Sequence, residues 1–173
     1  MLKHKDIVIR NATVEDAIIL ETWWNDGSIM AHAGFPNGTG QTAESIAEKI
    51  KSDADKVHRR MIIELSSVPI GETNYYNVRD GIAEIGIKIC DFSKQNKGYG
   101  KIILSMLISY LFDELGYEKI VLDTNLNNKR AQHVYEQLGF RKVKVRENSW
   151  RNQLGELQSA VDYELTRDEF ISY

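Results

Sequence analysis

From position 83 to 89 the chain alternates: Ala83, Ile85, Ile87 and Ile89 are separated by Glu84, Gly86 and Lys88. A period of two sends neighbouring side chains to opposite faces, so residues 82–90 are predicted to form a strand with one apolar and one mixed face. Residues 70–78 read as its hairpin partner through the turn Arg79-Asp80-Gly81. Shorter runs predict strands at 7–10, 61–65, 119–123, 140–145 and 160–165. Between 101 and 115 the period changes: Ile103, Leu104, Leu107, Ile108, Leu111 and Phe112 make a helical stripe, and Gly116 stands where a C-cap would. Residues 128–138 repeat the pattern with Ala131, Val134, Tyr135 and Leu138 on one side, closed by Gly139. Near the start, Thr13 and Asp16 form a capping-box pattern before a helix that runs to Trp24. Thr42 caps a second helix over 43–54, and the stretch 29–41, with Gly34, Pro36, Gly38 and Gly40, reads as a loop. The order is mixed α+β in one domain spanning 1–173.

Composition narrows the function more than the fold. Hydrophobic residues at 42% and charged residues at 27% are an ordinary globular balance, which argues against disorder. A net charge of -3 argues against a nucleic-acid partner and favours a cationic one. Cys90 is the only cysteine, so there is no intramolecular disulfide, no cysteine metal cluster, and a fit to a reducing cytoplasm. His4, His58 and His133 have no metal-ligand spacing, so no metal is expected. The start of the chain lacks a signal-peptide core, and the apolar run 102–112 is too short and too serine-rich to span a bilayer, so no membrane partner is expected.

The sharpest local signal is Gln95-Asn96-Lys97-Gly98-Tyr99-Gly100, between a strand and a helix. Glycines let backbone approach a ligand, and free amides at a helix N-terminus favour an anion such as pyrophosphate, with Lys97 and Lys101 adding charge. The loop lacks the Gly-Lys-Ser/Thr ending of a nucleotide P-loop and the third glycine of a dinucleotide fingerprint. By itself it also fits a plain glycine turn. The second signal runs from Asn128 through Ala131 and Tyr135 to Gly139-Phe140, and alone Tyr135 fits a core aromatic equally well.

Together, Q-x-x-G-x-G, a helix, a strand and N-x-x-A-x-x-x-Y-x-x-x-G-F resemble the GNAT superfamily of acetyl-coenzyme A-dependent N-acetyltransferases. The resemblance spans about 7–165 and is strongest over 84–140. Ile9-Arg10, Glu15-Asp16, the segment 83–87 and the ending 163–170 are similar to the ribosomal-protein N-terminal (alanine/serine) acetyltransferase branch. The resemblance implies a twisted, mostly antiparallel sheet flanked by helices and splayed beside its fourth strand, here 82–90. It implies that the pantetheine arm of acetyl-CoA bonds the backbone of Ile87, Lys88 and Ile89. The pyrophosphate would sit on amides of Gln95, Asn96, Lys97, Gly98, Tyr99, Gly100 and Lys101, and Asn128 would help to hold the arm. Tyr135 matches the position of the acid that protonates the departing thiolate.

An ammonium must lose a proton before it attacks a thioester, so a base is needed. Glu84, on the mixed face of the splayed strand, is the candidate, with Glu72 on the neighbouring strand as substitute; a solvated strand carboxylate is the plain alternative. Trp23, Trp24, His32, Phe35 and Glu72 are candidates for the acceptor pocket. The expected activity is direct acetyl transfer to a primary amine in a ternary complex. The acceptor is a protein N-terminus or, alternatively, a polyamine, amino acid or aminoglycoside. A non-catalytic acyl-CoA-binding module is the other reading. A homodimer is the family-level expectation.

Overall fold

Eight strands form one sheet in a computed structural model that describes residues 1–173. They are Leu2–His4 (β1), Ile7–Asn11 (β2), His58–Leu65 (β3), Val68–Arg79 (β4), Ile82–Ile89 (β5), Lys119–Asn125 (β6), Arg141–Arg151 (β7) and Leu157–Thr166 (β8). Their order is β1-β2-β3-β4-β5-β6-β8-β7, and every pair is antiparallel except β5 with β6. A parallel neighbour requires a crossover, which the helix Tyr99–Asp113 supplies.

Alternation along the strands divides the sheet into two faces. Ala83, Ile85, Ile120, Leu122, Val161 and Tyr163 point into the larger core, together with the buried stripe of the helix Tyr99–Asp113 and Tyr135 of the helix Lys129–Gln137. The opposite face packs Ile62 and Cys90 against the helices Ala17–Trp24 and Ala43–Lys51. In chain order the helices are α1 (Ala17–Trp24), α2 (Gly27–Met30), α3 (Ala43–Lys51), α4 (Tyr99–Asp113) and α5 (Lys129–Gln137).

The feature that positions the site is where pairing stops. β5 meets β6 only from Ile82↔Lys119 to Glu84↔Val121, whereas β6 stays paired with β8 as far as Asn125↔Ala160. Beyond Glu84 the two strands diverge and the sheet splays open.

Several elements differ from the sequence expectation, each for a local reason. β1 is three residues long and polar, and it pairs with β2 across a turn in which Lys5 takes φ 51°, so the splaying strand is fifth in chain order, not fourth. The stretch 29–41 is not all loop: Asp26 accepts from Ser28 N at 2.8 Å and caps α2. α3 ends at Lys51 rather than near 54, because Asp53 turns to accept from Arg60 N on β3 at 2.8 Å. β7 and β8 run well past their apolar cores as an extended hairpin. The capping box stands as expected, with Thr13 N donating to Asp16 at 2.7 Å, and Arg10 forks onto the same carboxylate at 2.7 and 2.9 Å. No helix is long and apolar enough to cross a membrane.

Candidate active site

The glycine loop leads into α4 as a run of unspent donors. Asn96 and Gly98 take left-handed backbone, φ 59° and 81°, and Gly98 is the N-cap with no side chain to bond the first turn. The earliest donation in α4 is from Ile102 N to Gly98 O. None of the peptide N–H groups from Asn96 to Lys101 donates to a protein acceptor. A loop and helix end turned this way present partial positive charge to an anion. Two expectations change here. Gln95 N already donates to Phe92 O, so the free amides begin at Asn96. The Lys101 ammonium lies 3.7 Å from the centroid of the Tyr173 ring, so Lys101 offers the loop its amide and not its charge.

From this loop the edge of β5 leads toward the splay. Cys90 N donates to Ile70 O, and this fixes the phase of the ladder with β4. By alternation Lys88, Gly86 and Glu84 turn their peptide groups to β4, while Ile85, Ile87 and Ile89 turn theirs to the β6 side. Past Glu84 nothing on β6 pairs with that edge. Ile89 O accepts from Gln95 Nε2 at 2.8 Å; the groups of Ile87 and the N–H of Ile89 face the cleft. Lys88 therefore does not offer its backbone to a ligand; its ammonium instead reaches Glu72 at 3.2 Å.

Across the splay stands α5. Asn128 accepts from Ala131 N at 3.2 Å and caps it, leaving the Asn128 amide nitrogen free. At its far end Phe140 N donates to Tyr135 O and Gly139, at φ 96°, donates to Glu136 O, which ends the helix in a Schellman turn. The Tyr135 ring is fixed edge-on between Phe140 and Tyr163, both with centroids at 5.8 Å. Its hydroxyl has no partner within the protein, yet it is not sealed in: Tyr117 Oη is the only side-chain polar atom both enclosed and unbonded. Burial, helped by the charge of Asp123, pushes the Tyr135 phenol up to about 12, so it keeps its proton at neutral pH.

The other face of the splay belongs to carboxylates. Glu84 lies at the last paired position, opposite Tyr76 on β4 and Val121 on β6. The Tyr76 phenol is raised by burial and, next, by the Glu84 carboxylate beside it. Around it, Glu72 pairs with Lys88, Asp123 and Asp162 share Arg146, and Glu164 pairs with Lys119 and Arg141. Glu84 alone in this group has no cationic partner. Beside it Gly86 leaves the strand bare opposite Asn74, whose amide would lie 3.2 Å from a Cβ added there.

Of the acceptor-pocket candidates, Trp24 reaches this face, donating from Nε1 to Glu72 at 2.8 Å. Trp23 does not: it is 9% exposed and packs in the smaller core with α3. His32 and Phe35 are exposed on the segment after α2. That segment is held by the tip of the β7–β8 hairpin. Gln153 donates from N to Gly34 O at 2.8 Å and from Nε2 to Gly38 O at 3.0 Å, and accepts from Asn37 N at 2.9 Å. A Cβ at Gly34 would come within 2.5 Å of the Trp150 ring. Gln153, Trp150 and Tyr76 were not legible as site residues, since nothing in their local spacing marks them. No group of three or more His, Cys, Asp or Glu side chains is placed to hold a metal ion.

Known proteins share this fold. The family model of the acetyltransferase (GNAT) domain matches residues 6–141. A spermidine N(1)-acetyltransferase of Vibrio cholerae is 30% identical over 92 residues, 50% of this chain and 51% of that protein. An uncharacterised protein of Methanocaldococcus jannaschii is 34% identical over 82 residues, 47% of this chain and 17% of its own length. The matches thus span about half, or less, of these relatives. The solved structure of the Vibrio cholerae spermidine N-acetyltransferase with CoA and spermine has a TM-score of 0.85 at 20% identity, over 96% of this chain and 98% of that one. A ribosomal L7/L12 alpha-N-protein acetyltransferase in complex with coenzyme A gives 0.84 at 13% identity, over 96% and 97%. At such identities the likeness is one of fold.

Proposed function

Since the chain belongs to the GNAT acetyltransferase family, we propose that it transfers an acetyl group from acetyl-CoA to a primary amine by direct attack in a ternary complex. The observation that carries this is the run of free N–H groups from Asn96 to Lys101, leading along an unpaired strand edge to a gap with Tyr135 on one face and Glu84 on the other. These groups fit the two ends of acetyl-CoA: amides for the pyrophosphate, and strand edge for the amide-bearing arm. Acetyl-CoA supplies the activated acetyl thioester.

The residues divide the remaining work. Glu84, the carboxylate without a cation, draws in the ammonium and takes its proton. The Ile87 N–H, facing the cleft, is placed to stabilise an oxyanion. The Tyr135 hydroxyl holds a proton for the departing sulfur. Cys90 is no covalent nucleophile: burial first, and the charge of Glu72 next, push its thiol up to about 12. The uncovered negative charge at Glu84 favours a cationic acceptor, either a protein N-terminus or a polyamine. The same reading extends to a cytoplasmic enzyme and to a homodimer, which sedimentation would check.

The test is release of free thiol from acetyl-CoA with a panel of amines: peptides starting with Ala or Ser, spermidine, amino acids and an aminoglycoside. Turnover with at least one member is expected. Binding of coenzyme A with no turnover on any of them would reduce the protein to a binding module.

A further inference from the structure

Arg130 takes no part in the roles assigned above, yet it connects the two halves of the cofactor side. Its Nη1 donates to Gln95 Oε1 at 2.9 Å and to Asn96 Oδ1 at 3.3 Å. Gln95 Nε2 in turn donates to Ile89 O at 2.8 Å. One path of side-chain bonds therefore runs from the first turn of α5, through the start of the loop, to the cleft edge of β5. Asn96 takes left-handed backbone, φ 59°, a conformation asparagine adopts more readily than most residues, and the Arg130 contact pins its side chain there. Lys129 and Arg130 also stand in the first turn of α5 with no acid beside them, against the direction that the helix dipole favours. The helix dipole gives no reason for a cation there; the contacts to Gln95 and Asn96 do.

We propose that Arg130 is a positioning residue: it braces Gln95 and Asn96 so that the amides from Asn96 to Lys101 converge before any ligand arrives. The proposal rests on the acetyl-CoA reading of that loop. It differs from direct phosphate contact, because the guanidinium acts through two side chains and not on the anion.

Titration calorimetry with coenzyme A on the wild type, Arg130→Ala, Gln95→Ala and the double variant separates the two. Arg130→Ala should weaken binding about tenfold. In the Gln95→Ala background the same change should cost clearly less than in the wild type, since one of the two braced side chains is already gone. Equal losses in both backgrounds would mean that Arg130 contacts phosphate, and would overturn the proposal, as would unchanged affinity in Arg130→Ala. Backbone NMR order parameters of residues 95–98 in the free protein give a readout without ligand. They should drop in Arg130→Ala; if they do not, the brace is absent. Should the wild type fail to bind coenzyme A, the acetyl-CoA reading falls on its own, and the order parameters still decide the brace.

Discussion

The two sides of the splay are built from different materials. On the α4–α5 side, the ligand-facing groups are mostly backbone, taken from one short stretch and the strand just before it. On the other side they are side chains brought from afar: Trp24 to Glu72 over 48 positions, and Gln153 to Asn37 over 116. Backbone donors depend on φ and on a helix start, so they tolerate almost any side chain that permits the turn. A wall of side chains changes whenever a loop changes. One side can therefore be common to a family while the other sets what each member acetylates.

Substitutions on each side should separate in the kinetics, and the largest effect belongs to Tyr135→Phe. It should lower kcat on the order of a thousandfold with coenzyme A affinity unchanged in calorimetry; a fall in affinity instead would make Tyr135 a binding group. The phenol donates only when protonated, and an ordinary one is half ionised near pH 10. Because Tyr135 is raised to about 12, the wild-type kcat should hold between about pH 8 and pH 10. A basic limb near pH 10 would move the acid elsewhere.

Glu84→Gln should cost roughly a hundredfold at neutral pH. That loss should shrink as pH rises, because the free amine then forms without help. A pH-rate profile parallel to the wild type would make Glu84 a plain surface carboxylate. Gln153→Ala removes the two side-chain bonds that hold the acceptor-side segment, so the KM of the amine should rise about fivefold with that of acetyl-CoA unmoved. A shift in both would mean that the two sides are not independent. Smallest of all, Lys101→Ala should leave coenzyme A affinity within about twofold, since its ammonium is spent on Tyr173.

The same division explains what could be read from the chain. The alternation of Ala83, Ile85, Ile87 and Ile89 and the stripe of α4 are periodic, so the strands and helices that frame the cofactor side were legible. The loop at 95–100 and the Asn128–Tyr135 spacing marked the segment with the free amides and the helix that carries Tyr135. What a motif cannot state is which donors are already used: Gln95 N, the backbone of Lys88 and the charge of Lys101 all looked available and are not. Trp23 and Trp24 are adjacent, yet helical rotation sends one into the α1–α3 core and the other to Glu72. Nothing near Gln153 or Trp150 announces that a hairpin tip will meet the segment after α2, because that contact exists only once the sheet order is set.

Where β5 parts from β6, the protein carries bare peptide groups inside its own outline. Such groups can pair with another strand edge that reaches them. Whatever small molecule fills the gap therefore also acts as a stopper: a molecule starved of it would tend to clump with its neighbours before it had lost its shape.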